Sequence, residues 1–289
     1  MKRTALVAAI CLPVAVAAIA VLVLPFLRDD SLTRLRKTGS IRIGYAVEAP
    51  FAYLKPGGEV TGESPEVAKR VVSRLGIGHI EWRQVEFGAL ISELEAARID
   101  VIAAGLFITP ERAKRVRFSE PTFRVRPGLL VPKGNPRKLH SYQHVLTPGG
   151  VRIAVLSGAV EESLLRRLGW KDHELVIVPD ALTGRVAVES AVADGLALSS
   201  PTVRWMALRE QLGRTEMAQP FEEPELLRTE PFGYGAFAFR REDRRLASAW
   251  NRELKTYIGS PEHRSLAAGF GFAPAELPGT ATDAEPVAR

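Results

Sequence analysis

The sequence predicts an α/β protein of two lobes, joined by two hinge strands and enclosing a ligand cleft. Two successive sets of short apolar strands alternate with helical segments, a Pro- and Gly-rich stretch separates the sets, and a further apolar strand follows the second set. The chain has 289 residues, of which 46% are hydrophobic and 25% charged. Because single hydrophobic cores stop growing at roughly 250 to 300 residues, a chain of this length has room for two lobes.

The first lobe is predicted from a βαβαβ order. The pattern gives, in chain order, a strand at residues 41–45, a helix from Ser64, a strand at 81–85, a helix at 88–97 and a strand at 101–104. Pro65 in the first turn supports the start of the first of these helices. Strands that alternate with helices in this way form a largely parallel sheet.

The second lobe repeats the alternation. It is predicted from a strand at residues 151–155, a helix at 160–168 and a strand at 175–178. Ligands of such folds bind in clefts beyond the carboxyl ends of the strands.

Two apolar strands are predicted to cross between the lobes. The first lies within residues 127–136, where an apolar strand runs into a stretch of Pro and Gly that cannot continue any element, and the second spans residues 235–239 and leads into a helix at 246–258. If both cross, the first lobe comprises residues 40–130 and 235–278, and the second comprises 131–234. Such a double crossing makes a hinge about which lobes close over a ligand.

The two ends of the chain are assigned to other roles. Lys2 and Arg3 precede an uninterrupted apolar run of 23 residues, so residues 1–28 are predicted to be an export signal or a membrane anchor. The length of the run favours an anchor, since about 20 apolar residues span a bilayer, whereas Pro13 and Pro25 would each disturb a spanning helix. Residues 279–289, which are small and polar, are predicted to be a disordered tail.

Composition excludes several classes of function. Without the three basic residues that flank the apolar run, 36 basic residues stand against 33 acidic ones, which is weak support for a nucleic-acid partner, so none is expected. The single cysteine, Cys11, lies in the N-terminal run, so the exported part has no disulfide. The sequence contains no metal-ligand spacing, nucleotide-binding loop or nucleophile motif. We therefore expect no cofactor, no metal and no catalysis.

Three phenylalanines and one arginine are the candidate binding residues. Phe51, Phe87 and Phe107 each follow a predicted strand, where a cleft is expected, and Arg112 follows a turn near the start of a helix. Any one of these rings is more often a core residue, and an arbitrary arginine more often lies at the surface. Together, however, rings that attract a cation and a guanidinium that binds a carboxylate indicate a small zwitterionic solute.

Several collinear motifs resemble a known family. They are Glu-Ala-Pro-Phe at residues 48–51, Thr-Gly-Glu-Ser-Pro-Glu-Val-Ala at 61–68, Asp-Val-Ile-Ala-Ala-Gly at 100–105, Ile-Thr-Pro-Glu-Arg at 108–112, Leu-Val-Pro-Lys-Gly-Asn-Pro at 130–136 and Gly-Tyr-Gly-Ala-Phe-Ala-Phe-Arg at 233–240. From about residue 40 to 278 the chain resembles the extracytoplasmic solute-binding proteins of the polar amino acid ABC transporter family (family 3), and within it the ectoine and hydroxyectoine binders. The resemblance implies a type II periplasmic-binding-protein fold.

The same resemblance implies a role for each candidate. Arg112 would hold the ligand carboxylate and the three phenylalanines would form a box around its cation, the position of Phe87 often carrying tyrosine in the ectoine binders. Glu48 would accept hydrogen bonds from the ring nitrogens of ectoine. From the second lobe, Glu161 would contribute to the site, and the backbone N–H groups of residues Ala159, Val160 and Glu161 would meet the carboxylate.

One stretch departs from the family pattern. Amino acid binders commonly carry an acidic residue in a strand of the second lobe, whereas the strand after Gly195 reads Leu-Ala-Leu-Ser-Ser-Pro-Thr. Three hypotheses therefore stay open: an ectoine or hydroxyectoine binder, a binder of another zwitterion such as a polar or cationic amino acid or a betaine, and an enzyme on the same fold. The first two imply an extracytoplasmic, monomeric protein that delivers its ligand to an ABC permease.

Overall fold

A computed structural model describes residues 29–143, 150–209, 213–229 and 232–278, the side chains of residues 228 and 229 excepted. The predictions for residues 1–28 and for the tail at 279–289 lie outside this part of the chain. None of the helices within it is long and apolar enough to span a lipid bilayer.

The described strands are numbered in chain order. They are β1 (Ser40–Tyr45), β2 (Tyr53–Leu54), β3 (Val60–Thr61), β4 (His79–Gln84), β5 (Val101–Ile102), β6 (Val116–Phe118), β7 (Phe123–Arg124), β8 (Pro127–Pro132), β9 (Ile153–Leu156), β10 (Leu175–Val178), β11 (Gly195–Ser199), β12 (Thr215–Met217), β13 (Tyr234–Gly235) and β14 (Ala238–Arg240).

Helices occupy about half of the remaining described chain. The α-helices are Ser31–Thr38, Glu63–Arg74, Leu90–Glu95, Pro110–Ala113, Val160–Arg167, Ala181–Glu189, Ser200–Leu208, Leu226–Thr229, Arg244–Tyr257 and Pro261–Gly269, and the short 3-10 helices are Phe87–Ala89, Asp172–Glu174 and Pro274–Glu276.

Two five-stranded sheets confirm the two-lobed α/β fold. The first has the order β4-β1-β5-β14-β6 and the second β10-β9-β11-β8-β12. Their first three strands run parallel, as the alternation of strands and helices predicts. The expectation of largely parallel sheets is wrong for the rest, because β14 and β8 both run antiparallel to their neighbours. These are the strands that follow the connections between the sheets, so no crossover helix fixes their direction.

The connection between the sheets is a two-stranded antiparallel ribbon of β7 and β13, in which Tyr234 faces Arg124. The predicted strand at residues 235–239 is therefore interrupted. Its beginning pairs with β7 in the ribbon, and its end, as β14, joins the first sheet. In that sheet Arg240 lies 3.0 Å from the buried carboxylate of Asp100, a contact that ties the returning strand to the start of β5.

Each sheet has its own core. Ile41 and Ile43 of β1 pack with Val67 and Val71 of the helix Glu63–Arg74 and with Trp250. A second cluster lies against β9 and β11. A third cluster contains residues of both sheets, including Phe87 from the first lobe and Ala159 from the second. The two lobes are thus in contact where the cleft lies.

Candidate ligand-binding site

One small cavity lies between the lobes at the carboxyl ends of the strands. Its walls are formed by Glu48, Phe51, Phe87, Gly105, Phe107, Arg112, Ala159, Val160, Glu161 and Ser199. All eight residues singled out from the sequence are among them. They follow β1, β4 and β5 of the first sheet and β9 of the second, whose carboxyl ends meet at this place because each set of strands is parallel.

The lobes are closed around this cavity. Its volume is about 20 Å³, which is close to the space that one water molecule needs. A solute of several heavy atoms therefore enters only when the lobes move apart. Residues of both lobes form the walls of the site in this closed arrangement.

Arg112 connects the two lobes. It lies in the helix Pro110–Ala113, whose first turn is fixed by the Thr109 hydroxyl accepting a hydrogen bond from the Arg112 N–H. Its guanidinium donates to Phe107 O at 2.8 Å within the first lobe and to Gly158 O at 2.9 Å in the second. Burial lowers the pKa of Arg112 to about 10, so the side chain remains a cation at neutral pH.

Glu48 also makes a contact across the cleft. Its carboxylate accepts a hydrogen bond of 2.7 Å from the hydroxyl of Thr202, which lies in the helix Ser200–Leu208 of the second lobe and is fully buried. Burial raises the pKa of Glu48 to about 7, although the Thr202 hydrogen bond acts in the opposite direction. The Ser199 hydroxyl lies 3.2 Å from that of Thr202. Two hydroxyl groups therefore lie at the end of the second-lobe strand in which no acidic residue occurs, and that of Ser199 belongs to a wall residue of the cavity.

Glu161 is the second buried carboxyl group of the cavity. It lies in the first turn of the helix Val160–Arg167 and is only 4% exposed. Burial, and after it the Glu48 carboxylate, raise its pKa to about 8, although Arg112 acts in the opposite direction. A carboxyl group that is half-protonated near this pH can either donate or accept a hydrogen bond.

The aromatic residues divide into two groups. The Arg112 guanidinium lies 5.7 Å from the centre of the Phe87 ring, within the range of a cation–π contact. Phe51 and Phe107 pack instead against Phe123, with ring centres 4.8 Å and 6.2 Å apart. Those two rings therefore reach the cavity from an apolar cluster behind it.

The backbone at the start of the second-lobe helix is already partly bonded. Ala159 N–H donates to Leu156 O at 3.1 Å, and Gly158 N–H donates to the Glu162 carboxylate at 2.9 Å. A ligand carboxylate at this helix start would compete with these partners. Arg112 is already bonded in the same way, to Phe107 O and Gly158 O, so a carboxylate would replace existing bonds at both places.

Two glycines lie face to face across the cleft. A Cβ atom built at Gly88 of the first lobe would lie 3.0 Å from Ser157 O, and one built at Gly158 would lie 3.0 Å from Gly88 Cα. Real Cβ atoms rarely come so close to other heavy atoms. The backbones of the two lobes thus approach as nearly as glycine allows.

A segment beyond the last helix also joins the lobes. Residues 270–278, here called the C-terminal strap, are anchored in the first lobe because Phe272 and Leu277 pack in the cluster that contains Phe51. The strap carboxylate Glu276 lies 2.8 Å from Arg204 of the second lobe. Arg204 also donates to Gly271 O at 2.9 Å.

Sequence reasoning missed Gly105, Ser199, Thr202 and the strap. Gly105 has φ +65°, and a Cβ atom there would lie 2.6 Å from the Phe51 ring, so glycine is required for that ring to reach its place. The hydroxyl residues Ser199, Ser200 and Thr202 at the end of a strand were a signal, but this stretch was interpreted only as lacking an acid. The contacts of Glu276 join residues far apart in the chain, which no local pattern reveals.

Comparisons with known proteins agree with this architecture. Residues 41–271 match the family "Bacterial extracellular solute-binding proteins, family 3". A probable amino-acid ABC transporter periplasmic-binding protein of Sinorhizobium fredii is 34% identical over 249 residues, which are 86% of this chain and 82% of that protein. The lysine/arginine/ornithine-binding periplasmic protein of Escherichia coli is 26% identical over 227 residues, covering 74% and 81% of the two chains.

A solved structure with the same fold contains a bound ligand. The crystal structure of EhuB in complex with hydroxyectoine superimposes with a TM-score of 0.78 at 30% identity, covering 85% of this chain and 94% of that one. The family match covers both sheets, the connecting ribbon and all residues of the cavity. The chain therefore belongs to the bacterial extracellular solute-binding proteins of family 3.

Proposed function

We propose that this protein is the extracytoplasmic solute-binding component of an ABC importer and that it binds ectoine or hydroxyectoine between its lobes. The observation that carries the proposal is the cavity itself, in which the cation Arg112 and the buried carboxyl groups of Glu48 and Glu161 stand together beside the ring of Phe87. Such a set suits a compact zwitterion, whose carboxylate faces Arg112 and whose cation faces Glu48. The similarity to a structure that holds hydroxyectoine supports the choice of ligand.

The proposed mechanism is a shift between open and closed lobes. A ligand that touches Arg112 in one lobe and Glu161 in the other gains its full set of contacts only in the closed state, so its binding raises the population of that state. We propose that the chain passes between the lobes at the ribbon of β7 and β13 rather than at residue 130. Residue 130 lies within β8 and thus already belongs to the second sheet. An ABC permease would recognise the closed form.

A second candidate function is the binding of a basic amino acid. It is favoured by the excess of two carboxyl groups over one arginine in the cavity and by the similarity to the lysine/arginine/ornithine-binding protein. An enzyme on the same fold is the third hypothesis. The cavity offers no histidine among its wall residues, and turnover of a bound compound would be needed to select it.

The first test is a thermal-shift screen of the full chain. The compounds are ectoine, hydroxyectoine, glycine betaine and the twenty amino acids. The proposal expects the largest rise in melting temperature with ectoine or hydroxyectoine, since a ligand that binds only the folded protein stabilises it. Stabilisation by amino acids alone selects the second candidate.

The second test is calorimetry on the Arg112→Ala variant. Loss of the charged partner of a buried carboxylate costs roughly 2 to 5 kcal/mol, so ectoine affinity should fall at least about 30-fold. Arg115→Ala is the matched control, because Arg115 lies at the surface and pairs with Glu95, and it should bind as the parent does. An affinity of the Arg112→Ala variant within a few-fold of the parent would show that the carboxylate is held elsewhere.

Localisation follows the same proposal. We propose that residues 1–28 export the protein or hold it at the membrane, where it acts as a monomer in the periplasm or at the cell surface. The mass of the protein purified from cells shows whether residues 1–28 have been cleaved or retained. Light scattering measures its oligomeric state.

A further inference from the structure

The charges in the cavity do not balance for a zwitterion. Its walls carry the carboxyl groups of Glu48 and Glu161, which are 8% and 4% exposed, and the guanidinium of Arg112. With both carboxyl groups ionised, the closed site has a net charge of −1, and a zwitterion adds nothing to it. Charges that are closed off from water and left uncompensated are costly. The closed complex must therefore gain either a proton or a ligand that carries an extra positive charge.

We propose that Glu161 is a charge-selecting residue, which keeps its proton and donates a hydrogen bond when a neutral zwitterion is bound, and gives it up when a ligand of net charge +1 is bound. The inference rests on the proposed function, since it concerns the same cleft. It assigns the choice between ectoine-like solutes and basic amino acids to one carboxyl group.

The hydrogen bonds decide which carboxyl group carries the proton. Glu48 accepts from the hydroxyl of Thr202 at 2.7 Å, a bond that favours its ionised form. The charged and titratable groups around Glu161 are Arg112, Glu48 and the phenol of Tyr142, and Glu111 acts on Arg112 from the same short helix. The pKa of Glu161 is about 8, so its protonated form is available at neutral pH.

The direction of the pH dependence follows from linkage. If ectoine binds only to protein with protonated Glu161, its affinity falls as pH rises through the pKa of the free protein, about 8. The protonated fraction falls about fourfold between pH 7 and pH 8.5 for such a group. At pH 8 half of the protein must take up a proton from the buffer, so each ectoine bound brings in about half a proton.

The experiment is calorimetry of the full chain with ectoine and with L-arginine as probes. Ectoine affinity should fall about twofold from pH 7 to pH 8.5, because ionisation of Glu48, whose pKa is about 7, offsets half of the loss of protonated Glu161, whereas L-arginine affinity should not fall. Titrations at pH 8 in phosphate and in Tris, whose ionisation enthalpies differ, count the protons taken up. This count needs no variant and thus does not depend on the folding of one.

The Glu161→Gln variant carries an uncharged side chain that cannot take up or release a proton at this position. It should bind ectoine no more weakly at pH 8.5 than at pH 7, take up no proton, and lose at least about tenfold in L-arginine affinity, which corresponds to the loss of one carboxylate–cation contact. Glu162→Gln is the control, because that neighbouring carboxylate pairs with Arg166 on the surface. It should retain the parent's pH dependence.

The outcomes separate the two proposals. Ectoine binding with equal affinity at both pH values and without proton uptake overturns the role of Glu161 and leaves the proposed function intact. No ectoine binding at either pH overturns both. A Glu162→Gln variant that behaves like Glu161→Gln also overturns the inference, since the charge at the helix start would then act without regard to the cavity.

Discussion

The contact between Gly88 and Gly158 predicts that one added methyl group weakens closure. In the Gly88→Ala variant the new Cβ atom would lie 3.0 Å from Ser157 O and 3.3 Å from Ser157 Oγ in the second lobe, whereas ordinary contacts begin at 3.4 Å. Ser157 O is a backbone atom and cannot rotate away. The lobes would therefore have to separate by about 0.4 Å at this point, the difference between the observed and ordinary distances.

The nearest bond across the cleft gives the size of the effect. The Arg112 guanidinium donates to Gly158 O at 2.9 Å, and a separation of about 0.4 Å takes this bond beyond the usual range of 2.7 to 3.2 Å. A hydrogen bond from a charged group contributes about 1.5 to 3 kcal/mol. If a third to a half of that is lost, ligand affinity falls roughly fivefold.

Calorimetry with ectoine measures the affinity of the Gly88→Ala variant, and small-angle scattering with saturating ectoine measures how far the lobes close. Gly78→Ala is the matched control, because a Cβ atom there would come no nearer than 3.7 Å to any other group, Gly39 O. An unchanged affinity in Gly88→Ala, together with a normal closed radius, would refute the view that the lobes meet at these two glycines.

Two further predictions concern buried carboxyl groups. Thr202→Val removes the hydroxyl that donates to Glu48, so ectoine should bind roughly 10- to 100-fold more weakly in calorimetry, while Thr202→Ser should bind nearly as the parent does; equal affinities of the Val variant and the parent would contradict the contact. Glu63 is fully buried, and burial raises its pKa from 4.5 to about 7. The folded state therefore holds this proton more strongly than the unfolded state, and the protein loses roughly 3 kcal/mol of stability as pH rises from 4.5 to 7. Glu63→Gln should melt above the parent at pH 8 with a smaller gap at pH 5, and a gap that does not change with pH would rule this out.

The sequence predicted the parallel parts of both sheets because their strands are short, apolar and separated by helical segments. Strand 175–178 coincides with β10, and strand 41–45 lies within β1. Direction was not predictable for β8 and β14, since the pattern of apolar residues in a strand is the same in both directions. The break between β13 and β14 was missed for a similar reason: the apolar run continues while the pairing partner changes.

The placement of the cavity residues followed from a rule of topology. Phe51, Phe87 and Phe107 come after the three parallel strands of the first sheet, so their positions converge whatever the details of the loops. What each ring touches was beyond that rule, because it depends on residues distant in the chain, such as Phe123 behind Phe51. The contact of Thr202 with Glu48 is likewise set by how far the lobes close.

The C-terminal strap separates the strength of binding from its selectivity. Arg204 and Glu276 are in contact in the closed arrangement of the lobes, and neither lies among the cavity walls. Their contact therefore adds the same free energy to the closed state for every solute. A change at either residue would multiply the affinities for all solutes by one common factor and leave the ratio between any two of them unaltered. The strap contact therefore sets the overall affinity of the protein, and the cavity residues set its ligand preference.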